Sequence, residues 1–129
     1  GVKATVKDFF QNIERIFSCA HLVIARAGAS TISEVLFFGK PLLLIPIPFS
    51  VRDHQKLNAQ RISELGGAIC LEEINLTGNQ LSKKINSILI NQEPANNLAK
   101  SAFKNATPQA VEKLRDLVIN ISEGNISAK

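Results

Sequence analysis

The chain has 129 residues, 45% of them hydrophobic and 20% charged, with a formal net charge of +4. That is one domain's worth of globular protein, long enough to bury a sizeable core. No apolar run reaches the ~18–20 residues of a membrane-spanning helix, the opening residues lack the pattern of a secretory signal, and the scattered basic residues, adjacent only at Lys83-Lys84, argue against a nucleic-acid stripe and read as a solvated face.

In chain order, residues 2–6 are a strand candidate. Phe9, Ile13, Ile16 and Phe17 recur at helical spacing and predict a helix over 9–19. Residues 21–25 read as a buried strand. A short helix follows over 30–38, ended by Gly39 and then Pro41. Residues 42–45 form a second buried strand, and Pro46 and Pro48 turn its exit loop away from the sheet. Asp53 is placed to cap a helix over 54–65, which stops at Gly66-Gly67. A third strand covers 68–71. Thr77 caps a helix over 79–90, Pro94 stands near the start of another over 92–104, and Pro108 opens a last one reaching Ser122.

The strands are continuously apolar and alternate with helices. This predicts an α/β domain, a parallel Rossmann-like sheet with helices on both faces. Residues 1–123 form that domain and 124–129 a flexible tail. The last three helices add no strand, so they wrap the sheet or reach toward a partner domain. The chain has no Met and opens on Gly1, which points to a piece of a longer protein. Cys19 and Cys70 stand in no metal-ligand spacing with each other or with the two histidines. They read as reduced thiols of a cytoplasmic protein, with no metal site.

The chemistry concentrates between His21 and Asn58. The first strand runs into a turn of small residues, Gly28-Ala29-Ser30-Thr31, where a helix opens. Unpaired N–H groups and the helix dipole suit a diphosphate there, and Gly28 allows close approach. The alternative is that Ser30 or Thr31 simply caps the helix. Glu34 lies on the same face as Ser30, where its carboxylate can accept two ribose hydroxyls; alternatively it folds back on Thr31 in a capping box. Gln55 and Asn58 share a face at the start of the next helix, and amides that donate and accept suit sugar hydroxyls. His54 beside them can titrate near neutrality, although a lone histidine at a helix start is more often a surface residue.

With these elements in order, the segment resembles the C-terminal, donor-binding domain of the MurG family of peptidoglycan N-acetylglucosaminyltransferases, glycosyltransferase family 28. The residues that carry the resemblance are Arg26-Ala27-Gly28-Ala29-Ser30-Thr31-Ile32-Ser33-Glu34, then Gly39-Lys40-Pro41, Pro46, and Gln55-Lys56-Leu57-Asn58-Ala59. The resemblance implies the C-terminal half of a two-domain GT-B fold that binds UDP-N-acetylglucosamine. It implies a substrate-binding set of Phe10, Gly28, Ala29, Ser30, Thr31, Ile32, Ser33, Glu34, His54, Gln55 and Asn58. Ala29 to Thr31 would face the diphosphate, Glu34 the ribose, the backbone at Phe10 the uracil edge, and Gln55, Asn58 and His54 the N-acetylglucosamine hydroxyls. It implies no cofactor and no metal, and no catalytic residue can be assigned in this chain.

The implied partner is an N-terminal acceptor domain that binds lipid I, undecaprenyl-pyrophosphoryl-N-acetylmuramyl-pentapeptide. Membrane contact would be peripheral, at the cytoplasmic face of the bacterial inner membrane, through the full-length protein. The chain alone is expected to be inactive. Two other functions remain open at this point: a stand-alone UDP-N-acetylglucosamine-binding subunit that needs a separate acceptor-side partner, and a non-enzymatic nucleotide-binding module.

Overall fold

The computed structural model describes residues 2–50 and 53–122. Their order is α1 (Ile13–Cys19), β1 (Val23–Ala25), α2 (Ala29–Phe37), β2 (Leu42–Leu44), α3 (His54–Glu64), β3 (Ile69–Cys70), α4 (Gly78–Leu89), α5 (Gln92–Lys104) and α6 (Ala110–Ser122). The expected strand–helix alternation is present and the strands are parallel, in the order β1-β2-β3. Val23, Ile24 and Ala25 stand opposite Leu42, Leu43 and Leu44, while Leu43 and Leu44 stand opposite Ile69 and Cys70. Leu42, Leu43 and Leu44 are all fully buried. Successive strand residues point to opposite faces, so β2 is covered on both.

The helices form because their apolar residues fall on one side. Ile32, Val35 and Leu36 of α2 join Leu42, Leu44, Ala59 and Ala102 in one core. Full burial of a Leu or Ile side chain contributes roughly 1.5–3 kcal/mol, so these residues dominate stability. Two glycines stop helices as the sequence predicts. Gly39 has φ 57° and Gly66 φ 72°, the left-handed region that other residues rarely adopt. The N–H groups of Gly39 and Lys40 donate to Leu36 and Val35 carbonyls, and those of Gly66 and Gly67 to Ser63 and Ile62. Each set closes a Schellman motif. Thr77 and Gln80 close a full capping box on α4.

Three expectations differ. Residues 2–6 form no strand: Val2 and Val6 are 94% and 90% exposed, and no strand among the described residues pairs with them. A strand needs a ladder partner. α1 begins at Ile13 rather than at Phe9: of the four apolar residues that predicted the helix only Phe17 reaches the core, and Phe9 stays exposed. Asp53 does stand at the α3 cap, but with φ 52° and no side-chain capping bond. The tail expected over 124–129 lies outside the described residues.

Candidate functional site

β1 and β2 end at the same edge of the sheet, and each leads to the start of a helix at that edge. This carboxyl edge is where open parallel sheets bind ligands. At the start of α2, Gly28 is the cap residue, with φ −70° and ψ 138° and no side-chain cap bond. The helical ladder opens with Ile32 N–H donating to Gly28 O at 3.0 Å. The N–H groups of Ala29, Ser30 and Thr31 precede that bond and find no acceptor among the described residues. Three donors are therefore free at the positive end of the helix dipole.

Both bland alternatives for this turn fall. The cap is Gly28, not Ser30 or Thr31. Thr31 sits inside the first turn, so Glu34 lies a further turn along and no Thr31–Glu34 capping box can form. Glu34 is exposed, and among the described residues its carboxylate makes no hydrogen bond or ion pair. The glycine at position 28 is not explained from inside the chain either. Its φ suits any residue, and an added Cβ would meet only Thr31 Oγ1, at 3.9 Å. Open space in front of a free helix terminus is what a close-fitting ligand needs.

Of the other residues named from the sequence, Ser33 is exposed, whereas Ile32 is 5% exposed in the core. With its N–H taken by Gly28, Ile32 supports the turn from below and presents no polar group. Asn58 Nδ2 donates to Ala27 O at 3.2 Å, and Gln55 Oε1 accepts from Ile47 N–H at 3.0 Å. Each amide thus ties a loop to α3, and its other polar atom, Asn58 Oδ1 or Gln55 Nε2, has no hydrogen-bond partner among the described residues. His54 is the exposed first residue of α3. Phe10 is half-buried before α1. Lys40 Nζ, at the start of β2, donates to Ser18 O near the end of α1.

Two ion pairs that the sequence does not reveal complete this edge. The Arg26 guanidinium donates to both Glu73 carboxylate oxygens, at 2.6 and 3.0 Å, and to Ile45 O at 3.1 Å. These bonds hold the Glu73 carboxyl below its ordinary pKa and raise that of Arg26. Lys56 Nζ pairs with Glu72 at 2.9 Å, which raises the Lys56 pKa. Burial, aided by Glu72, pushes the Cys70 thiol up. The only sequence signal for the pairs was two adjacent glutamates just past β3, meaningful once β3 is known to end beside β1 and β2.

Surface cavities of about 250 to 660 Å³ lie elsewhere on the described residues, and none of these is lined by residues 28–34. One of about 250 Å³ adjoins the edge, lined by Pro46, Pro48, Phe49, Asp53, Lys56, Glu72, Glu73 and Ile74. No group of three or more metal-ligating side chains occurs among the described residues, and none of their helices is long and apolar enough to cross a membrane.

Residues 1–114 match the family model described as the glycosyltransferase family 28 C-terminal domain. A relative from Paramagnetospirillum magneticum, named UDP-N-acetylglucosamine--N-acetylmuramyl-(pentapeptide) pyrophosphoryl-undecaprenol N-acetylglucosamine transferase, is 38% identical over 121 residues, which is 94% of this chain and 33% of the relative. A protein of the same name from Pseudomonas putida is 33% identical over 124 residues, covering 96% of this chain and 34% of the relative. The crystal structure of Acinetobacter baumannii MurG superposes with a TM-score of 0.81 at 30% identity, over 90% of this chain and 33% of that one. The chain thus spans about a third of the length of the curated relatives it matches.

Proposed function

The chain belongs to the glycosyltransferase family 28 C-terminal domains, and from that premise we propose that it is the donor-binding part of an inverting N-acetylglucosaminyltransferase. The full-length enzyme moves N-acetylglucosamine from UDP-N-acetylglucosamine to undecaprenyl-pyrophosphoryl-N-acetylmuramyl-pentapeptide, lipid I, and so makes lipid II for peptidoglycan. The observation that carries this reading is the α2 terminus, where among the described residues three N–H groups behind an open Gly28 have no acceptor and the Glu34 carboxylate, further along the helix, has no partner.

In this reading the diphosphate lies on Ala29, Ser30 and Thr31, where backbone donors and the dipole favour an anion without any metal. Glu34, an acceptor with two oxygens, takes the ribose hydroxyls. The backbone at Phe10 meets the uracil edge. The free atoms of Gln55 and Asn58, with His54, meet the sugar hydroxyls. Residues 1–123 supply the donor half of the enzyme, and an N-terminal domain supplies the lipid I site and the base that takes the proton from the acceptor hydroxyl. Membrane contact is peripheral, through that domain, at the cytoplasmic face of the inner membrane.

Calorimetric titration tests the donor assignment. UDP-N-acetylglucosamine should bind, ADP-glucose should bind far more weakly, and equal affinity for the two would overturn the assignment.

A further inference from the structure

We propose that Arg26 and Glu73 act as a positioning pair that sets the diphosphate-facing turn, an inference that rests on the donor-site reading above. The turn Arg26-Ala27-Gly28 is the only stretch of chain between the end of β1 and the free N–H groups of α2. It is gripped from two sides. Asn58 holds Ala27 O from α3. On the other side the Arg26 guanidinium joins three elements: the exit of β1, the Ile45 carbonyl just beyond β2, and the Glu73 carboxylate just beyond β3. A planar fork suits this arrangement, because one rigid group satisfies a carboxylate bidentately and a carbonyl together; a lysine ammonium has no such fixed geometry.

The energetics separate positioning from stability. The Arg26 and Glu73 side chains are 47% and 42% exposed. Ion pairs this open to water add little to folding. They still fix geometry, and small misplacements of binding groups are costly to ligand affinity. A purely electrostatic role gives the opposite sign for Glu73: removing it would leave Arg26 unpaired beside an anion site and strengthen anion binding.

The test measures UDP and uridine binding, the latter by competition, together with thermal melting, for the unsubstituted protein, Arg26→Lys and Glu73→Ala. Arg26→Lys keeps the charge and loses the fork. Both variants are expected to lose about tenfold in UDP affinity, to keep their uridine affinity and to melt within a few degrees of the parent. Unchanged or tighter UDP binding in Glu73→Ala overturns the inference. So does a parallel loss for UDP and uridine that follows a fall in melting temperature, the mark of a merely structural pair. Failure of the unsubstituted protein to bind UDP would instead overturn the donor-site reading itself, and this inference with it.

Discussion

Asn58 Nδ2 donates a part-buried hydrogen bond to the carbonyl oxygen of Ala27 at 3.2 Å, so α3 holds the turn from which α2 starts. The bond links residues 31 apart in sequence, and both belong to the segment that carries the family resemblance. Asn58→Asp removes the donor and sets a carboxylate against a carbonyl whose residue is fully buried. The expected cost is about 1–3 kcal/mol, read from urea unfolding midpoints at constant m-value. UDP-N-acetylglucosamine affinity should fall with it.

Gly28→Ala separates the ligand from the fold. The backbone there suits any residue, and the new Cβ meets only Thr31 Oγ1, at 3.9 Å. Stability should stay within about 1 kcal/mol of the parent, because the gain from reduced unfolded-state entropy is offset by the poorer helix-capping of alanine at this position. Donor affinity should fall, because the methyl group occupies space in front of the free N–H groups. Paired unfolding and calorimetric curves check both halves, and unimpaired binding would place the ligand elsewhere.

These two residues also mark how far the sequence could be read. Helix starts and stops with local chemistry are legible: Gly39 and Gly66 at left-handed stops, and Thr77 as the cap of α4, whose box partner Gln80 the structure adds. The parallel sheet was legible because fully apolar triplets such as Leu42, Leu43 and Leu44 suit only a strand covered on both faces. What could not be read depended on tertiary partners. Residues 2–6 carry strand-like residues but find no ladder among the described residues. Ser30 and Thr31 look like caps, yet the helix opens earlier, on Gly28. Gln55 and Asn58 both lie in α3, three residues apart, but nothing local shows that each also ties down a loop. The Arg26–Glu73 bond spans 47 residues and follows only from the β1-β2-β3 order.

The same pair makes stability depend on pH with a fixed sign. Arg26 lowers the Glu73 pKa, so the pair's contribution is fully present above the ordinary glutamate value of about 4.3 and is lost as pH falls through the lowered one. Urea midpoints of the parent and Glu73→Gln should differ most near neutrality and converge as pH drops below 4 or so. A difference that widens in acid would contradict this.

The two cysteines should react unequally. Cys19 is exposed, whereas Cys70 is half-buried, with its thiol pushed up by burial. The thiolate is the reactive form, so iodoacetamide near pH 8 should label Cys19 first, as peptide mass mapping can read.

Glu34 tests the central claim most directly, because its carboxylate has no partner among the described residues and so little to lose in folding. Calorimetric titration of UDP-N-acetylglucosamine into the parent and into Glu34→Ala is the measurement. Two lost hydrogen bonds to a charged acceptor correspond to a fall of at least about tenfold in affinity, with the unfolding midpoint unchanged. Equal affinity in the two proteins would contradict a ribose at Glu34 and a donor laid across the start of α2.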